Sequence, residues 1–122
     1  MRSSVFLVAI TALTTRPALA IDTKAPEQCI TGPVEKTYGG TTWLVVSCSD
    51  GKSLVFIAKD GGKAAPFEFD LTFTGDGYDL NGHGDGDRKY TDAAYADLQK
   101  IKAADILALI KATQAVTPQK LH

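Results

Sequence analysis

Between Gly75 and Tyr90 the chain reads GDGYDLNGHGDGDRKY, which places Asp76, Asp79, Asn81, Asp85 and Asp87 close together among five glycines. Short side chains with oxygen donors, on a backbone free to curl, are what a hard cation such as Ca²⁺ requires, since it takes about six to eight oxygen ligands. Started at Asp79, a helix–loop–helix calcium register puts Asp79, Asn81, His83, Gly84, Asp85 and Asp87 at positions one, three, five, six, seven and nine, but Tyr90 stands where the bidentate Glu belongs. Started at Asn81, the register ends on Asp92 with Gly86 sixth and has a neutral first ligand. The run Gly-His-Gly-Asp-Gly-Asp also matches one turn of a glycine-rich calcium β-roll, a fold that needs several stacked copies, and the chain holds one. The plainer expectation is a hairpin turn at Gly75–Gly77 and a solvated linker over Gly82–Gly86, because Asp tolerates turn geometry. A Ca²⁺ site on the five oxygen-bearing residues is the alternative, and a loop contacting a partner is a third.

Other chemistry is sparser. His83 is the sole histidine before the terminal His122, and no second nitrogen ligand accompanies it, so a solvated side chain is expected. Glu35, Glu68 and Asp70 fall on strand faces, where carboxylates could pair for acid–base work but commonly just face water. Ser49 and Lys52 formally match S-x-x-K, but they straddle a turn rather than open a helix. Neither G-x-S-x-G nor H-E-x-x-H occurs. Without a convergent acid, base and nucleophile, the expectation is a protein that does not catalyse.

The elements that must position these residues follow from local pattern. From Val34 to Asn81, short β-branched or aromatic runs alternate with glycine-bearing turns, as in consecutive antiparallel strands. The expected strands are Val34–Tyr38, Thr42–Ser49, Ser53–Lys59, Phe67–Thr74 and Tyr78–Asn81, with a two-residue hairpin at Asp50-Gly51. In the fourth, Phe67, Phe69, Leu71 and Phe73 point to one face and Glu68, Asp70, Thr72 and Thr74 to the other, so one face is core and the other wet. Beyond Thr91 or Asp92, an expected N-cap, the period becomes helical: Tyr95, Leu98 and Ile101 form one stripe and Ile106, Leu109 and Ile110 a second. A single helix would draw Lys102 and Asp105 into the apolar arc, so a break is expected near Ile101–Ala103. The predicted fold is α+β, an antiparallel meander of about five strands with a C-terminal helix or helical hairpin packed on its Phe-rich face.

The first twenty residues read as a secretory signal: Arg2, then the apolar run Val5–Leu13, then Ala18-Leu19-Ala20. Cleavage after Ala20 leaves residues 21–122 as a single small domain, beginning with an irregular lead-in over residues 21–32. The apolar run is far shorter than a membrane span of about 20 residues. Of 122 residues, 13 are basic and 14 acidic. Loss of Arg2 and Arg16 leaves 11 against 14, a net charge of −3, which gives no basic excess for nucleic acid and no call for integral membrane association. Cys29 and Cys48 are the only cysteines, and an exported chain with an even count favours a bridge between them.

Trp43–Leu54, WLVVSCSDGKSL, resembles the opening strand–Cys–turn of small periplasmic C-type lysozyme inhibitors over about a dozen residues; the family's later Ser-Gly-x-x-Tyr pattern is missing. That resemblance implies a periplasmic hydrolase inhibitor and transfers no site residue. The expected function is a small soluble module, periplasmic or secreted, that binds a partner or plays an accessory role without catalysis. Calcium binding and hydrolase inhibition are the alternatives.

Overall fold

The computed structural model describes residues 28–116; the expected signal segment, its expected cleavage site and most of the expected lead-in lie outside them. Five strands, β1 (Cys29–Tyr38), β2 (Thr41–Cys48), β3 (Leu54–Ala58), β4 (Phe67–Phe73) and β5 (Tyr78–Gly84), are followed by α1 (Arg88–Gln99) and α2 (Ala103–Gln114). Each strand pairs antiparallel with the next, giving the order β1-β2-β3-β4-β5 with β1 and β5 at the edges. Both helices pack against this sheet, so the α+β meander is the observed architecture.

Period-two patterning decides which face the helices cover. Trp43, Val45, Leu54, Phe56, Phe69 and Leu71 form the buried sheet face, closed from above by Ala94 and Leu98 of α1 and by Ile106, Leu109 and Ile110 of α2. Burying each large apolar side chain contributes about 1.5–3 kcal/mol. Aromatic edges interlock there: the rings of Tyr38 and Phe56 meet edge-on at 5.5 Å, and Tyr95 stacks on Phe69 at 6.0 Å. One buried polar pair ties the layers together, the hydroxyls of Ser47 in β2 and Thr113 in α2, 2.7 Å apart.

Several boundaries move. β1 begins at Cys29, so the last part of the expected lead-in is strand, paired with β2 through two irregularities in register. The loop from β2 to β3 is longer than the expected two residues. Gly51 N–H donates to the Cys48 carbonyl, and the Asp50 carboxylate then collects the N–H groups of Lys52 and Ser53, each at 2.8 Å. The N-cap of α1 is Asp87, not Thr91 or Asp92: its carboxylate accepts from the Lys89 N–H at 2.9 Å. Thr91 lies instead on the buried face, with Ala94 and Leu98 at helical spacing. The expected break falls over Lys100–Lys102, after which Asp105 accepts from the Lys102 N–H at 3.1 Å. Cys29 and Cys48 stand opposite each other in β1 and β2 and are bonded.

Candidate functional site

The five oxygen-bearing residues of the glycine–aspartate stretch do not converge on one point. Much of that stretch is not a loop but edge strand β5, and a strand rises about 3.3 Å per residue, so its seven residues span roughly 20 Å. Asp76 lies in the turn before it, 3.4 Å from the Thr74 hydroxyl. Asp79 and Asn81 sit within β5, opposite Thr72 and Asp70. Asp85 follows the strand, its N–H bonded to the Pro66 carbonyl at 2.8 Å, and Asp87 is committed to capping α1. The glycines have another purpose. A Cβ on Gly82 would lie 2.6 Å from the Phe69 ring, so the bare backbone there lets that ring lie flat beneath β5.

The β4–β5 register instead assembles a cluster on the sheet face away from the helices. Glu68 faces His83 directly, and Asp70 follows two residues along β4 on the same face. Ligating atoms of Glu68, Asp70 and His83 all lie within 4.8 Å of one another. The His83 Nε2 is 3.7 Å from Glu68 Oε2. Partial burial raises the Glu68 carboxyl above its usual range, and the neighbouring Asp70 pushes the same way, while His83 partly offsets both. Two carboxylates and an imidazole are a mixed donor set suited to a borderline divalent ion. His83 keeps the exposed side chain expected of it, and Glu68 stands beside it across the sheet. The expected turn at Gly75–Gly77 would set residue 69 opposite 83; the observed turn runs from Thr74 to Gly77, with Phe73 opposite Tyr78, and this one-residue difference brings Glu68 opposite His83.

On the other side of the sheet, α1 and α2 leave a groove of about 450 Å³ along β1. Lys36 and Tyr38 of β1 form one wall. Asp97, Lys100 and Ile101, at the end of α1, form the next. One side of α2 completes it at helical spacing, with Asp105, Ala108, Leu109 and Ala112. The groove exists because α2 turns alanines toward β1 where larger side chains would close it. Asp97 also holds the wall together: its Oδ2 accepts the Gly39 N–H at 2.7 Å, and Gly39 must be glycine because a Cβ would overlap the Ala94 backbone. Burial first, and the Asp105 carboxylate second, raise the Tyr38 phenol, which keeps its proton and remains a donor. Among the described residues, neither Lys36 nor Lys100 has a carboxylate at ion-pair distance.

A larger hollow of about 630 Å³ lies beside the disulfide. Two of its polar side chains are bonded to each other: the Ser53 hydroxyl donates to Asp50 at 2.6 Å and accepts from the Phe73 N–H at 2.9 Å. The groove therefore combines an apolar floor with charged groups still open to a ligand. Sequence patterning did not reveal it, because one wall comes from β1 and the others from a helix pair far along the chain. Set against family models, curated proteins and solved structures, the chain matches none.

Proposed function

We propose that the protein is a small exported, non-catalytic binding module that takes its ligand in the groove between β1 and the helix pair. The observation that carries this is the groove itself: its volume falls in the range of about 300–1,000 Å³ usual for small-molecule sites, and it joins an apolar floor to a few convergent polar groups. Export is supported by the N-terminal Arg2, Val5–Leu13 and Ala18-Leu19-Ala20 pattern and by the Cys29–Cys48 bridge, which suits an oxidising compartment. Among the described residues no helix is long and apolar enough to cross a membrane. The test is an amide-shift NMR screen of small organic molecules against mature protein and an Ala108→Leu variant. Ligands should move the signals of Lys36, Tyr38, Ile101 and Leu109 in the first and lose affinity in the second. Binders that map elsewhere, or that ignore the filled groove, would overturn the proposal.

The Glu68–Asp70–His83 cluster favours a second reading, weak capture of a divalent cation, with the imidazole pointing to a transition ion rather than Ca²⁺. Melting with Zn²⁺, with Ca²⁺ and with EDTA checks it, since an ion that binds the native state must raise its melting temperature. A Zn²⁺-dependent rise that disappears in His83→Gln supports this reading. No shift at millimolar metal removes it. A Ca²⁺ rise retained in His83→Gln would return the site to the aspartates of residues 76–87.

A further inference from the structure

The groove carries both signs of charge, and its four charged side chains differ in how they are satisfied. Asp97 and Asp105 each give one carboxylate oxygen to a backbone N–H, of Gly39 and Lys102 respectively, which fixes both side chains while leaving their negative charge and further lone pairs available. Lys36 and Lys100 line the same groove without pairing to either carboxylate. A net-neutral groove of two anchored anions and two unpaired cations, over Ile101, Leu109 and the two alanines, is mismatched to a simple anion, which would meet Asp97 and Asp105. It is equally mismatched to a simple cation, which would meet the lysines. A ligand carrying one charge of each sign on an apolar body satisfies both. The ends of the helices add to this, because the C-terminus of α1 and the N-terminus of α2 bring partial charges of opposite sign to the same rim.

We infer that the groove binds a zwitterionic apolar amino acid or short peptide, its ammonium facing Asp97 and Asp105, its carboxylate facing Lys36 and Lys100, and its side chain on the Ile101–Leu109 floor. This rests on the groove being the binding site, and the test separates the two claims. Four probes share one apolar body: Leu-Leu, N-acetyl-Leu-Leu, Leu-Leu amide, and the doubly capped N-acetyl-Leu-Leu amide. Titrated into the mature protein and followed by amide shifts, Leu-Leu should move the signals of Lys36, Tyr38, Ile101 and Leu109. Capping either end should weaken binding at least tenfold.

Two variant pairs assign the ends. In Lys36→Gln/Lys100→Gln the penalty for capping the carboxylate should vanish while the penalty for capping the ammonium stays. In Asp97→Asn/Asp105→Asn, where the amide oxygens still accept from Gly39 and Lys102 and an unchanged melting temperature checks the fold, the pattern should reverse. Four probes binding the groove equally would overturn the zwitterion assignment and leave the groove intact as a site. The zwitterion assignment also falls if other small molecules fill the groove and Leu-Leu does not. If nothing fills it, both claims fall.

Discussion

At the scale of single residues, satisfied hydrogen bonds and close approach decide the chemistry. The Asp50 carboxyl is held below its usual range: partial burial opposes ionisation, but bonds from the Ser53 hydroxyl and from the N–H groups of Ser53 and Lys52 outweigh it. A lowered folded value means that this stabilisation is complete above the ordinary carboxylate value near pH 4 and is lost as pH falls through the lower folded value. Asp50→Asn should therefore be less stable than the parent at pH 7, with the gap narrowing as pH falls below about 4, as measured by urea unfolding across that range. Glu68 has the opposite sign. Its raised folded value costs stability as pH climbs from the ordinary carboxylate range through that value, so Glu68→Gln should be relatively more stable at pH 7 than at pH 3. Gly82→Ala forces a methyl into the Phe69 ring and should cost about 1–3 kcal/mol in the same assay.

At the scale of elements, caps and turns set the boundaries and tertiary contact sets the lengths. Asp87 satisfies an N–H at the start of α1, so Asp87→Ala should lose about 1 kcal/mol, with amide exchange accelerating in the first turn of that helix and not in α2. This residue shows how a site is misread from sequence. Oxygen-bearing residues suit a cation and a helix cap equally, and only the position of the first helical turn tells them apart. β5 shows the complementary case. Gly82 and Gly84 look like breakers because glycine weakens an isolated strand, yet the rings of Phe69 and Phe67 at Gly82 and the Pro66–Phe67 backbone at Gly84 leave no room for a side chain. The helical break, by contrast, was legible, because Lys102 and Asp105 would otherwise enter the apolar arc.

At the scale of the whole molecule, a modest core is reinforced by one covalent link. The Cys29–Cys48 bridge fastens the start of edge strand β1 to β2 across 19 residues of sequence, and closing such a loop contributes about 3 kcal/mol in the chain-entropy model. Cys29→Ser/Cys48→Ser should lose about that much by denaturant unfolding. Because α2 packs on β1 and β2, the double variant should also loosen the groove wall, seen as faster amide exchange at Lys36 and Tyr38. Phe56→Ala, at the centre of the sheet's buried face, should cost about 3–5 kcal/mol.

The sequence by itself determined the class of fold, the strand order, the buried face, the helical break and the cysteine pairing. These depend on period, turn chemistry and composition, which act over a few residues or follow from there being only two cysteines. Tertiary structure alone decided what the acidic residues do. Register across β4 and β5 moved the candidate ligands from the aspartates of one segment to Glu68, Asp70 and His83, and packing of α2 against β1 opened a groove lined by residues 36 to 112. Both are distances between atoms far apart along the chain, and local pattern carries no measure of such distances.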